Sequence, residues 1–103
     1  MPAYIVSLCE FTNVSPSLME YAQKSADLVH KHGGRYIVRG KPLENLEGEK
    51  FPGKSMIIVE FPTMENLHAY LNGDEYRKRV WPLRQGTGIY DISVYESPPP
   101  NKE

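Results

Sequence analysis

The chain predicts an α+β domain in the order β-α-β-β-α-β: a four-stranded antiparallel sheet with two helices on one face. Three observations carry that reading. Two stretches with apolar residues every three or four positions follow helix-start signals at Ser15-Pro16 and Pro62-Thr63. Segments rich in β-branched and aromatic residues frame each stretch. The length, 103 residues, fits one domain with one core.

Tyr4 to Phe11 reads as the first strand and ends near the turn-prone Asn13. Cys9 inside it reads as a small buried apolar residue. Ser15 then caps a helix, and Pro16 suits its first turn. Leu18, Ala22, Ala26 and Val29 give the apolar stripe, which Met19, Tyr21 and Leu28 widen. Gly33 and Gly34 stop the helix, because glycine accepts the left-handed conformation of many helix ends. Arg35 to Arg39 is the second strand. Gly40 to Lys54 is a polar connection, with Leu43 and Leu46 as a candidate short ribbon. Ser55 to Phe61 is the third strand, and its run Met56-Ile57-Ile58-Val59 suits a strand covered on both faces. Thr63 caps a second helix bearing Met64, Leu67, Tyr70 and Leu71. Asn72-Gly73-Asp74 interrupts it, and a further helical piece runs from Glu75 toward Arg84, shortened or kinked by Pro82. Ile89 to Glu96 is the last strand. Residues 1–96 form the domain, and 97–103, with three consecutive prolines, read as a disordered tail. This element order is the ferredoxin-like one.

Composition narrows the function classes. The formal net charge is -1, from 12 Lys and Arg against 13 Asp and Glu. That balance argues against a nucleic-acid partner. No run approaches the roughly 20 apolar residues of a membrane span, so no membrane partner is expected. One cysteine and a start without a basic, apolar leader fit a reducing cytoplasm. A chain this short buries only about 60–65% of its unfolded surface, so pairing with a second copy would help it.

The candidate site lies around His32-Gly33-Gly34-Arg35-Tyr36-Ile37-Val38-Arg39-Gly40. His32 either caps the helix end or serves as an acid–base group, since histidine titrates near neutrality. Arg35 and Arg39 share a strand parity, so both are expected on one face. They either pair with Glu60 or clamp an anion in the two-pronged geometry of arginine. Arg84 adds a third cation. Trp81, Tyr76, Tyr70 and Tyr21 either fill the core or wall a pocket for an aromatic ligand. His30 and His32, two apart, point to different sides of a helix, and nothing completes a metal site. No metal or other cofactor is expected.

The runs His32 to Gly40, Glu47-Gly48, Val59-Glu60-Phe61-Pro62, Glu75-Tyr76 and Asp91-Ile92 together resemble domain-of-unknown-function family 1330. The resemblance spans about Tyr4 to Glu96. It implies a dimeric α+β barrel, in which two ferredoxin-like subunits face each other through their sheets. Families of that superfamily include cofactor-independent oxygenases, haem-degrading enzymes, isomerases and cyclases, so fold alone does not choose among activities. His32, Arg35, Arg39, Glu60, Tyr76 and Arg84 match recurring family positions. Lys41, after Gly40, and the Val80-Trp81-Pro82 stretch depart from the pattern.

Three functions follow. The first is a cofactor-independent enzyme on a small aromatic or carboxylated metabolite. There His32 is the acid–base group, and Arg35, Arg39, Glu60, Tyr76 and Arg84 bind substrate. The alternative is a non-catalytic, homodimeric small-molecule binder using the same pocket. The third is a structural dimer whose arginines simply pair with Glu60.

Overall fold

The computed structural model describes residues 1–97. Its element order is β1 (Ala3–Phe11), α1 (Pro16–Lys31), β2 (Arg35–Gly40), β3 (Ser55–Phe61), α2 (Met64–Asn72), a π-helical segment (Glu75–Val80), a 3-10 turn (Trp81–Arg84) and β4 (Gly88–Glu96). The strands form one sheet in the order β2-β3-β1-β4, with every neighbour antiparallel. That order accords with the ferredoxin-like arrangement. Leu43 and Leu46 form no ribbon. They sit in irregular backbone between β2 and β3 and are almost fully exposed. Ser97 donates its backbone N–H to the Pro2 carbonyl at 3.0 Å. The remainder of the expected tail, 98–103, lies outside the described residues.

Local chemistry sets the element ends. Ser15 is extended and accepts a bond from the Leu18 N–H, while Pro16 occupies the first turn, where its missing N–H costs nothing. At the other end Gly33 sits at φ 82°. Its N–H reaches the His30 carbonyl at 3.0 Å, and the Gly34 N–H reaches the Val29 carbonyl at 2.8 Å. This is a Schellman closure, in which two otherwise orphaned carbonyls are satisfied. Thr63 caps α2 through the Asn66 N–H. The Asn66 amide in turn donates to the His32 carbonyl at 3.1 Å, tying the end of α1 to the start of α2.

Side chains alternate across each strand, so the sheet has two distinct faces. Ala3, Ile5, Ser7 and Cys9 of β1 point to the helix side and are buried. There they meet a core of Leu28, Val29, Val59, Phe61, Leu67, Tyr70, Tyr76 and Val80. The opposite face carries Val6, Leu8, Met56 and Ile58, with no helix over it among the described residues. The molecule is accordingly flat, 48 × 38 × 16 Å. Pro82 does reshape the second helical layer: the chain winds as a π-helix from Glu75 and tightens to a 3-10 turn at Trp81–Arg84.

Candidate functional site

A cavity of about 530 Å³ lies between α1 and the helix-side face of the sheet. That is within the usual range for small-molecule sites, about 300–1,000 Å³. It exists because the facing positions are small. β1 presents Ser7 and Cys9 there, and α1 presents Ala22 and Ser25. Ser25 is buried, donates to the Ala22 carbonyl of its own helix at 3.3 Å and also interacts with the Tyr36 hydroxyl. Val14, Met19 and Trp81 also line the cavity yet are exposed, so they mark its mouth.

The inner wall is aromatic. Tyr21, Tyr70 and Tyr76 line it, with Tyr70 and Tyr76 ring centres 4.8 Å apart. The Tyr21 and Tyr76 hydroxyls are 3.0 Å apart and share one hydrogen bond. Burial raises the Tyr21 and Tyr70 phenols far above their ordinary value, with the neighbouring Tyr76 adding to it. They stay protonated at any pH the fold meets.

The charged lining is one-sided. Arg39, Arg77 and Arg84 contribute to it, and among the described residues no Asp or Glu does. None of the three forms an ion pair among the described residues. Arg84 lies over the Tyr90 ring at 4.7 Å and over the Tyr21 ring at 5.9 Å. Its Nε–H is buried without a hydrogen-bond partner among the described residues. Arg39 and Arg77 are exposed and stack on Tyr36 and Trp81 at 4.8 and 5.4 Å.

The residues singled out in the sequence separate into three places. Arg35 and Arg39 do not share a face, which corrects the parity expectation. A β-bulge at Ile37 breaks the register: Tyr36 pairs with Val59, but the next pair is Val38 with Ile58. The extra residue shifts Arg39 to the cavity side and leaves Arg35 opposite Glu60 on the open face. There Arg35 Nε bonds Glu60 at 2.7 Å, and the Tyr4 hydroxyl donates to the other carboxylate oxygen at 3.1 Å. Hydrogen bonds from Arg35, then Tyr4, hold the Glu60 carboxyl below its ordinary value. Arg39 does not reach Glu60. His32 stands at the end of α1, its ring 6.3 Å from that of Tyr70, and is not part of the cavity lining. Tyr76 and Arg84 do line it, as do Trp81, Tyr70 and Tyr21. His68 is exposed. Among the described residues no three His, Cys, Asp or Glu side chains gather as a metal site would need. No described helix is long and apolar enough to cross a membrane.

Ser7 and Ser25 are the residues that the sequence reading passed over. Each breaks an otherwise apolar series on a core-facing register: Ala3-Ile5-Ser7-Cys9 in β1, and Leu18-Ala22-Ser25-Val29 in α1. Small polar side chains at such positions are the available signal for unfilled space.

Fold and site together define a small α+β domain with a ligand-sized pocket between its sheet and its helical layer. The family model for a domain of unknown function (DUF1330) matches residues 2–98, and the chain belongs to that family. No curated protein matches it. Among solved structures it is similar to the RPA0582 protein of unknown function from Rhodopseudomonas palustris. The TM-score is 0.72 at 16% identity, over 96% of this chain and 84% of that one. It is also similar to a conserved protein from Methanosarcina mazei Go1, with a TM-score of 0.60 at 16% identity, over 95% and 94% of the two chains. At such identities the likeness is one of fold.

Proposed function

We propose that the protein binds a small organic molecule in the cavity between α1 and the sheet, and that two copies pair through their open sheet faces. The lining carries the first part: among the described residues it has three arginines without ion pairs, no carboxylate, and otherwise aromatic and aliphatic side chains with three serines. A site of that character favours an aromatic or carboxylated ligand. Binding, rather than acid–base chemistry by His32, is the better-supported reading because His32 lies outside the lining.

The sole tryptophan, Trp81, lies at the cavity mouth and reports on occupancy. Titration with 8-anilinonaphthalene-1-sulfonate is expected to quench Trp81 saturably at one probe per chain. A fluorescence trace without saturation overturns the binding reading. Mass spectrometry of the protein as purified then identifies any ligand it carries.

Pairing is supported by the apolar residues on the uncovered face, Val6, Leu8, Val38, Met56 and Ile58. The β2–β3 connection adds Leu43 and Phe51 beside Leu8 and Met56. Light scattering at micromolar concentration should give twice the chain mass of 11.8 kDa. Ile58→Asp should halve it, since a carboxylate on that face would be buried without a partner. A wild-type mass of one chain contradicts pairing.

A further inference from the structure

We propose that Arg84 and the Tyr21–Tyr76 phenol pair form the head-group end of the cavity, and that the ligand is an organic monoanion with a flat apolar body. This rests on the cavity being a binding site at all. Three features carry it. Arg84 lines the cavity, yet among the described residues its guanidinium has no ion pair and its buried Nε–H no acceptor, although buried donors almost always find one. That Nε–H is closed off from solvent and cavity alike, so the terminal Nη groups of the half-buried side chain are the donors left for a ligand.

The phenol pair adds a second donor. Two hydroxyls 3.0 Å apart use one proton in their mutual bond, and neither has another hydrogen bond among the described residues. One O–H therefore remains available. Because burial keeps Tyr21 protonated, the pair donates to an anion and does not repel it. The Arg84 guanidinium lies 5.9 Å from the centre of the Tyr21 ring, and Arg84, Tyr21 and Tyr76 all line the cavity, so guanidinium and phenol pair serve the same space.

The charge count limits the ligand. Arg84 is the half-buried cation, held between the Tyr21 and Tyr90 rings, whereas Arg39 and Arg77 are exposed. One sheltered guanidinium balances one negative charge, and a second buried charge would lack a partner. A carboxylate or sulfonate therefore sits at Arg84. The body lies against the apolar lining, between residues such as Leu18, Val59 and Tyr76.

Two probes with the same aromatic body separate this inference from the reading beneath it: 8-anilinonaphthalene-1-sulfonate, and its uncharged parent N-phenyl-1-naphthylamine. Wild-type protein is expected to bind both, the anion more tightly. Arg84→Gln should weaken the anion by about 10- to 100-fold, as for loss of a charge-assisted bond, and leave the neutral probe within about twofold. Tyr21→Phe keeps the ring and should weaken the anion by several-fold, again sparing the neutral probe. It carries the test alone if Arg84→Gln fails to give the wild-type circular dichroism spectrum. Equal losses for both probes, or no loss for the anion in either variant, overturn the head-group assignment. If wild-type protein binds neither probe, the cavity reading itself falls.

Discussion

Ser25→Leu tests whether the space between α1 and the sheet is there. In a packed core this change would force side chains off their rotamers and cost about 1–3 kcal/mol. Ser25 instead lines the 530 Å³ cavity, and its hydroxyl donates to a carbonyl of its own helix besides a weak contact with Tyr36. Leucine is two heavy atoms larger. At about 0.8 kcal/mol per buried methylene those groups contribute about 1.6 kcal/mol. Ordering the leucine side chain costs about 0.5–1 kcal/mol. A net stabilisation of about 1 kcal/mol remains, so the sign is opposite to that for a packed site. In thermal unfolding this raises the midpoint by about 4–8 °C for a domain of this size. Wild type and variant must be compared at equal protein concentration, because pairing shifts the midpoint by mass action. The same variant should weaken 8-anilinonaphthalene-1-sulfonate, since leucine occupies its volume. A lowered midpoint would refute the reasoning. So would an unchanged probe affinity in a stabilised protein.

Four further outcomes follow from the geometry. Gly34→Ala should destabilise by about 1–3 kcal/mol in urea unfolding, because the new Cβ would lie 2.7 Å from Phe61 and 2.9 Å from Val29, both fully buried. Gly33→Ala should cost about 1–2 kcal/mol for another reason, its left-handed backbone at φ 82°, with no contact closer than 3.6 Å. Glu60→Gln should lower stability at neutral pH, and the difference should shrink as pH falls below 4.5. The Glu60 carboxyl is held below its ordinary 4.5, so its contribution is present above that value and fades as pH falls through the depressed one. A constant gap between the two pH–stability curves would argue against the Arg35–Glu60–Tyr4 cluster. Cys9 is buried, and its thiol is raised by that burial more than Arg84 lowers it. Ellman's reagent should react with it about tenfold or more slowly before unfolding in urea than after.

The elements were legible in the sequence because their signals are local. Ser15-Pro16, Gly33-Gly34 and Pro62-Thr63 each act within one helical turn, and the apolar spacing between them is set by the helix repeat. The bulge at Ile37 was not legible. Tyr36-Ile37-Val38 has no glycine or proline to mark it, and any of these residues pairs well in either register. One extra residue was enough to send Arg39 to the cavity and Arg35 to Glu60. The cavity was only half legible. The aromatic wall of Tyr21, Tyr70, Tyr76 and Trp81 was one of the two readings of those residues. The gap it faces depends on Ser7 and Ser25 meeting across elements far apart in sequence, and no local pattern encodes such a meeting. His32 shows the converse. Its backbone closes α1 and anchors Asn66, so its place beside the glycines follows from the turn.

The isoleucines provide the most direct test of the binding claim. Ile5, Ile57 and Ile92 line the cavity, whereas Ile37, Ile58 and Ile89 do not. Methyl-labelled protein titrated with 8-anilinonaphthalene-1-sulfonate should show shifts at the first three and none at the others. Shifts centred on Ile58 would place the probe on the open sheet face and contradict the account, as would six unmoved methyls.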